Sequence, residues 1–556
     1  MAKAYKKSAR TYNTKVTPQS RPVPGKNQVA NNAGGYAFAI TPWEQLNRFL
    51  ILGSEGGTYY VGEQKLTKEN AKNVEACIKA DGGRVVDTIV DVSDKGRAPK
   101  NDPALFALAM AMSQGDDATK RKALLAVPKV ARIGTHLFHL ADYVNEMRGW
   151  GKGLRKAFSR WYTERTPESL DLQVVKYQQR DGWSHRDILR LTHPKPRTDA
   201  ENLAFKWVTG KIDGDMDKLQ ATHPLIYGYE LVKRATDEAE VLRLVEQYKL
   251  PLEAIPTEKQ TVKVLAQALP NMGITAVIRN LGRYTSLGIV DAGTSERNYV
   301  LKRITNEQEL IQGRVHPLNV LLALKTYAQG RGMRGKLTWN PDGKVTDALD
   351  EAFYMAFKAV EPTGKRILLA LDVSGSMGVS LGDLPISCRE GTAAMAMVTA
   401  RVEQDWEIVG FTSGGPYSWS GTGNRTAPAL EGGDMGLTPL GITPRQRMDD
   451  VVRQISNLDF GGTDCSLPML WAKKHKRPFD AIIIYTDSET WHGGIHPFQA
   501  LKDYRQVMGL DTKLIVVGMV ATPFSIADPS DAGMLDVVGF DTAAPNIMSE
   551  FIKGNL

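Results

Sequence analysis

The chain has little cysteine and no long apolar run. Its three cysteines, Cys77, Cys388 and Cys465, lie far apart and none forms a C-x-x-C pair. That spacing argues against a disulfide framework and against a thiolate zinc site, and it suits a reducing cytoplasm with the thiols buried as small hydrophobes. No stretch of 18 apolar residues occurs, so no membrane-spanning helix is expected. The first residues, MAKAYKKSARTYNTK, are basic but lack the apolar core of a secretory signal. Acidic residues are missing altogether before Glu44, whereas Lys3, Lys6, Lys7, Arg10, Lys15, Arg21 and Lys26 all precede it.

What is present is an ordinary globular composition, 42% apolar and 24% charged, over 556 residues, too many for one compact core. The net charge of +8 is unevenly spread. The N-terminal stretch carries +7, and Arg148 to Arg197 holds 12 Lys/Arg against 5 Asp/Glu, another +7, so the rest of the chain is mildly acidic. Two basic patches on an acidic body read as a polyanion footprint.

Three regions follow from the texture of the chain. Residues 1–35, rich in Pro, Gly, Asn and Lys, are expected to form a basic disordered tail. Residues 36–361 are helix after helix, for instance NDPALFALAMAM, THLFHLADYVNEM, LRKAFSRWYTE and EVLRLVEQYKL, without convincing strands. Many short amphipathic helices without a fixed period suggest a degenerate, HEAT-like array of helix pairs. Residues 362–556 alternate short apolar runs (RILLALDVS, DWEIVGFTS, FDAIIIYTD, TKLIVVGMV) with helical stretches, the pattern of a parallel sheet covered on both faces. The Gly/Ser/Pro-rich stretch 413–437 reads as a surface insertion.

The strongest chemical motif is L-D-V-S-G-S-M at 371–377. Asp372 ends a buried strand, and Ser374 and Ser376 follow at alternate positions, at the strand end where open α/β sheets gather ligands. Thr463, in the glycine-rich FGGTDCS, and Asp487, ending AIIIYTD, supply two further oxygen donors. The five resemble the metal-ion-dependent adhesion site of von Willebrand A domains. An all-oxygen set suits a hard cation, Mg²⁺ first, with Mn²⁺ or Ca²⁺ as alternatives. No nucleophile–base pair accompanies it, so hydrolysis is not implied and no catalytic residue is assigned.

The second motif is the basic stretch from Gly149 to Pro196. Lys152, Arg155, Lys156 and Arg160 recur at helical spacings and can track phosphates, and Trp150, Trp161, Tyr162, Tyr177, Trp183 and His185 interleave. Trp161 and Trp183 read better as core. Two weaker motifs are set aside: Thr363-Gly364-Lys365 lacks the upstream glycine of a phosphate loop, and His136/His139 lack a third ligand.

The segments G-W-G-K-G-L-R-K-A, K-Y-Q-Q-R-D-G-W-S-H-R-D-I-L-R-L-T-H-P-K-P, the RNL at 279–281 and H-P-L-N-V-L-L-A-L-K-T-Y-A-Q-G-R-G-M-R-G-K-L-T-W resemble the TROVE module of the Ro autoantigen family. The likeness runs on through V-E-P-T-G-K-R-I-L-L-A-L-D-V-S-G-S-M and G-G-T-D-C-S-L-P-M to M-L-D-V-V-G-F-D-T. It implies a ring of HEAT-like repeats closed by an A domain. It implies a non-enzymatic, monomeric scaffold that binds Y-like small RNA on its outer surface and takes single-stranded 3′ ends of misfolded RNA through a basic hole. An exoribonuclease or another protein would be met through the A domain. Carried over by motif, Lys176, Arg180, His185, Arg186 and Lys195 are expected to contact RNA. Two rivals stay open. An adhesion-type A-domain protein should bring export signals and disulfides. A metal-dependent RNA-processing enzyme should bring a carboxylate-rich two-metal cluster.

Overall fold

Helices begin on residues that satisfy the free amides of a first turn. Thr41 caps Pro42–Leu52 in a reciprocal box with Glu44, Asp116 caps Asp117–Val130, and Ser184 caps His185–Thr192 in a box with Asp187. A computed structural model describes residues 16–212, 216–333, 336–357, 360–380, 386–413, 436–456 and 462–556. Two short strands, β1 (Gln28–Ala30) and β2 (Tyr36–Ala39), precede the first helix. The helices then stack in a staggered order. Glu63–Asp94 lies against Asp102–Gln114 and Asp117–Val130, and Asp102–Gln114 against Gly134–Met147. Asp117–Val130 meets Lys152–Thr163, which meets His185–Thr192. Each helix thus buries one stripe on the turn before and another on the turn after, the logic of a solenoid. β2 already departs from the helical reading of 36–361, and a second departure lies within the array. The Gln-Arg-Asp-Gly-Trp-Ser segment is a hairpin of β3 (Gln179–Arg180) and β4 (Trp183–Ser184), turning through Asp181 and Gly182, both with positive φ.

The C-terminal third carries β5 (Arg366–Asp372), β6 (Asp405–Phe411), β7 (Leu437–Pro439), β8 (Ala481–Thr486), β9 (Lys513–Gly518), β10 (Phe524–Ser525) and β11 (Met534–Val538), all but β10 in one sheet. The order is β11-β9-β8-β5-β6-β7, parallel except for β7, while β10 pairs instead with β2 in a sheet β1-β2-β10. All four apolar runs singled out in the sequence are strands of this sheet. β7, β10 and β11 were not legible, because their burial alternates or their length is too short for a period to register. Of the insertion 413–437, residues 414–435 lie outside the described residues.

The expectation of a disordered tail over 1–35 is corrected for 16–35; residues 1–15 lie outside the described residues. The segment crosses the A domain through the β1-β2-β10 sheet, the Lys26–Asp528 ion pair at 2.5 Å and the wholly buried Gln19. Its own apolar content is too low for it to fold alone, and the A domain supplies the partners that order it.

Contacts between the two ends of the helical array close it. The Arg314 guanidinium donates to the Asp94 carbonyl (2.7 Å) and carboxylate (3.0 Å), and Asn319 reaches the Pro99 carbonyl. The A domain spans this junction. It grips the N-terminal end through Arg48–Asp536 and Arg97–Asp541, and the C-terminal end through His316 to the Phe540 carbonyl, Lys325–Glu390 and Arg401–Asp350. One hydrophobic core runs from the late helices (Leu281, Leu321, Phe353) into one face of the sheet (Ile367, Leu369, Ile483). All three cysteines are buried and free. Among the described residues no helix is long and apolar enough to cross a membrane.

Candidate metal centre and nucleic-acid surface

β5 and β8 are neighbours from which the chain leaves in opposite directions, so their carboxyl ends flank a crevice. Asp372, the last residue of β5, is fully buried. Its Oδ1 accepts the Ser374 amide at 3.0 Å and its Oδ2 accepts the Thr486 hydroxyl at 2.6 Å. The turn Gly375–Gly378 folds back and puts the Ser374 and Ser376 hydroxyls 3.1 Å apart. Asp487 follows β8, and its Oδ1 accepts the Glu489 amide at 3.0 Å. Thr463 is buried on a loop whose Cys465 Sγ lies 3.6 Å from the Thr486 hydroxyl, so this loop abuts the end of β8. The structure thus brings the five expected metal ligands onto three loops at one end of the sheet.

Burial and the nearby Asp372 and Glu489 push the Asp487 carboxyl up to about 8. Burial also raises Asp372, against the hydrogen bonds of Ser374 and Thr486. The Arg389 guanidinium, which donates to the Ser374 carbonyl at 3.0 Å, partly opposes the rise of Asp372. Two buried, mutually repelling carboxylates with three hydroxyls beside them fit a hard divalent cation, which would offset the repulsion. Among the described residues no group of three or more His, Cys, Asp or Glu is placed to hold a metal ion, so a cation here would rest on the two aspartates and the hydroxyls. A pH prediction follows. A carboxyl whose folded pKa lies above its unfolded value destabilises the fold as pH rises from about 4 through the folded value. Without a divalent cation, the melting temperature is expected to fall between about pH 5 and 8 relative to the cation-loaded protein. Equal pH profiles with Mg²⁺ and with chelator, by calorimetry, would contradict it.

On the helical array the expected RNA-binding residues separate into groups. Lys152, Arg155 and Lys156 project to solvent from Lys152–Thr163, whose other face buries Leu154, Phe158, Trp161 and Tyr162. Arg186 and Lys195 are exposed, and Arg180 is exposed on the β3–β4 hairpin. Two expected contacts are committed elsewhere. Arg160 pairs with Glu164 at 2.6 Å, one turn along its helix, and Lys176 is largely buried and pairs with Glu253 at 3.2 Å.

His185 is corrected outright as a base-stacking or donor residue. It is 3% exposed, Nδ1 lies 2.9 Å from the Tyr162 hydroxyl, Nε2 lies 3.2 Å from the Gln173 carbonyl, and the Trp161 ring stacks on it. Burial holds its pKa down to about 4, so it is neutral at physiological pH. His185→Ser is therefore expected to cost about 1–3 kcal/mol of stability by stranding the Tyr162 hydroxyl. Denaturant unfolding would measure this loss, and an unchanged midpoint would refute it.

Beside the exposed helix face lies a groove of about 610 Å³ that the sequence did not reveal. It is lined by Gln179, Arg186, Trp207, Tyr229, Lys233 and Arg234 among others. Trp207 and Tyr229 meet edge to face at 6.0 Å, and the Lys233 ammonium sits 4.9 Å from the Tyr229 ring. Arg190, one turn beyond Arg186, is exposed as well, and its i+4 spacing was a usable signal. Lys233 and Arg234 lie outside the basic stretch and join it because Pro224–Arg234 packs on Pro167–Lys176.

Comparisons with known proteins agree on both regions. A model described as the TROVE domain matches residues 29–266 and 253–326, and one described as the Ro60 vWA domain matches 366–552. The chain is 39% identical over 549 residues to the RNA-binding protein RO60 of Deinococcus radiodurans, covering 97% of this chain and 99% of that protein. It is 36% identical over 606 residues to the RNA-binding protein RO60 of Caenorhabditis elegans, covering 95% and 90%. The crystal structure of the Deinococcus radiodurans RO (RSR) protein superposes with a TM-score of 0.67 at 39% identity, covering 93% of this chain and all of that one.

Proposed function

The chain belongs to the Ro family of TROVE-domain proteins, and on that premise we propose that it binds RNA on the outer face of its helical array, as a non-catalytic scaffold. The observation that carries this reading is the juxtaposition of exposed cations with an open aromatic groove. Lys152, Arg155 and Lys156 stand on one helix, Arg186 and Arg190 on the helix packed against it, and Trp207 and Tyr229 in the groove that Arg186 borders. Cations of this kind position a backbone, and aromatic faces accept unstacked bases. The RNA class is a small structured, Y-like RNA on this face. Single-stranded 3′ ends of misfolded RNA would be taken by the closed array, as part of RNA quality control in the cytoplasm.

The A domain serves a second purpose in this reading. Asp372, Ser374, Ser376, Thr463 and Asp487 would hold a divalent cation, Mg²⁺ by the hardness of the donors. That cation supplies an open coordination position for a carboxylate of a protein partner, such as an exoribonuclease. The protein itself acts as a monomer. An adhesion role gains no support from three buried, unpaired cysteines, and a two-metal nuclease gains none from a site with two carboxylates.

The test is direct. Purified protein is titrated against a small structured RNA and against an RNA with a single-stranded 3′ tail, with Mg²⁺ and with chelator. Binding of both without cleavage is expected. Failure to retain either RNA would refute the binding reading, and Mg²⁺-dependent cutting would refute the non-catalytic one. Asp372→Ala is expected to remove divalent-cation binding, read by calorimetry, and to leave RNA affinity within about twofold, because the ligands and the basic face sit on different regions. An equal loss of both would overturn that separation.

A further inference from the structure

Two of the three loops that carry the metal ligands are tied to each other by a residue from the other end of the chain. Gln19 is wholly buried. Its Nε2 donates to Asp464 Oδ1 at 2.7 Å and to the Ile495 carbonyl at 2.9 Å. Its Oε1 accepts the Thr490 hydroxyl and the Gly493 amide, the latter at 3.3 Å. The Gln19 backbone amide also donates to the Gly493 carbonyl at 2.9 Å. Asp464 follows the ligand Thr463 directly, and Thr490 lies three residues after the ligand Asp487. The fit is close: a Cβ on Gly493 would stand 2.3 Å from both Asp464 Oδ1 and Gln19 Nε2, so only glycine allows the three to meet.

The same segment manages the third carboxylate of the neighbourhood. Glu489 is 1% exposed and two residues from Asp487, whose charge it opposes. Asn32 Nδ2 donates to Glu489 Oε1 at 2.7 Å, the Ala33 amide donates to Oε2 at 3.0 Å, and Asn31 Nδ2 donates to the Thr490 carbonyl at 2.7 Å. Both Glu489 oxygens are thereby turned toward the N-terminal segment. The segment is anchored independently by Lys26 on Asp528 and by His496 donating to the Arg21 carbonyl at 2.8 Å.

We infer that residues 16–35 are a strap that assembles the cation site, with Gln19 and Asn32 as positioning residues that touch no ligand oxygen. The inference rests on the reading of Asp372, Ser374, Ser376, Thr463 and Asp487 as a cation site. The two loops also meet directly, the Trp491 and His492 amides donating to the Thr463 carbonyl and the Cys465 amide to the Thr490 hydroxyl, and the four Gln19 side-chain hydrogen bonds add to these contacts and set the spacing behind the ligands. Partners behind the ligands commonly govern metal affinity by 10- to 100-fold.

The test uses the full chain as wild type, Gln19→Ala, Gln19→Glu, Asn32→Ala and, as a control on the strap's outer anchor, Lys26→Ala. Mn²⁺ affinity is read by titration with the spectrum of the bound ion. Amide hydrogen exchange at 463–466 and 488–493 is read in metal-free protein. Gln19→Ala is expected to bind Mn²⁺ about 10- to 100-fold more weakly, with faster exchange in both loops and an unfolding transition that remains cooperative. Gln19→Glu keeps the volume but loses both donors and sets a carboxylate against Asp464, so it should be at least as damaging. A space-filling role would leave it like wild type, which overturns the inference. Asn32→Ala should weaken binding in the same direction without touching Gln19, and Lys26→Ala should stay within about twofold. Wild-type affinity in Gln19→Ala, or unchanged exchange in both loops, overturns the strap. If wild type binds no Mn²⁺, the cation reading fails, and the exchange data alone still decide whether the strap holds the loops.

Discussion

Replacing Lys152, Arg155 and Lys156 together by alanine is expected to weaken binding of a small structured RNA by at least about 100-fold at roughly 0.1 M salt, the single-strand coefficient setting the lower bound. The size follows from counterion release. For single strands the logarithm of affinity falls by about 0.7 per decade of salt for each phosphate neutralised, so three lost contacts remove about two decades near 0.1 M. The same argument fixes the salt response: the slope of log affinity against log salt should become shallower by about 2. These three side chains suit the experiment because they are exposed, lie on one helix and have no ion-pair partner among the described residues, and the face beneath them is buried separately through Leu154, Phe158, Trp161 and Tyr162. The fold should therefore survive. Arg160→Ala and Lys176→Ala are the internal controls. Their charges already serve Glu164 and Glu253, so each should change RNA affinity less than any one of the three. A triple variant that binds like wild type, or keeps its salt slope, would move the RNA footprint away from this helix.

The second large effect concerns the junction between the helical array and the A domain. Arg48→Ala is expected to destabilise the protein by about 3–5 kcal/mol, read from guanidinium unfolding, because it strands a buried carboxylate. Arg48 comes from Pro42–Leu52 and is 1% exposed at its side chain; its partner Asp536, on β11, is 10% exposed. One guanidinium nitrogen lies 2.7 Å from both Asp536 oxygens, and the other donates to the Thr522 and Phe524 carbonyls at 2.9 and 3.0 Å. A Cβ on Gly518 would come 2.9 Å from the guanidinium, so the strand carries glycine where the arginine passes. Replacing both partners by apolar residues should recover most of the loss, because the cost lies in the unpaired charge rather than in the absence of the pair. A single-variant loss below about 1 kcal/mol would mean that water reaches Asp536 and the junction is not closed.

The candidate metal ligands were legible because their chemistry is written locally. A buried run that ends in Asp-x-Ser-x-Ser states both the strand and the donors, and AIIIYTD does the same for Asp487. The candidate RNA face was only half legible. Helical spacing predicts which residues share a side, and Lys152, Arg155 and Lys156 did emerge on one exposed side. Spacing does not say whether a cation is already taken. Glu164, which claims Arg160, lies one turn away on the same helix and was within reach of the pattern. Glu253, which claims Lys176, arrives from another helix and was not.

His185 failed for a related reason. It opens an amphipathic helix in a basic stretch, which is where an RNA-contacting histidine would stand, but Trp161, Tyr162 and Gln173 converge on it from two other helices and enclose it. The N-terminal segment is the converse case. Its composition forbids independent folding, yet its amides and Gln19 complete loops of a domain more than four hundred residues away.

By itself the sequence determined the fold class, the strands that end in candidate ligands, and the sign and rough place of the charge, since periodicity, strand-end chemistry and net charge are properties of neighbouring residues. Only the tertiary structure decided which cations stay free, that a histidine is core, that Lys233 and Arg234 join Arg186 around a groove, and that Gln19 sits behind the candidate metal loops. Those outcomes depend on partners brought together across the chain, and burial or pairing by a distant residue leaves no trace in the local pattern.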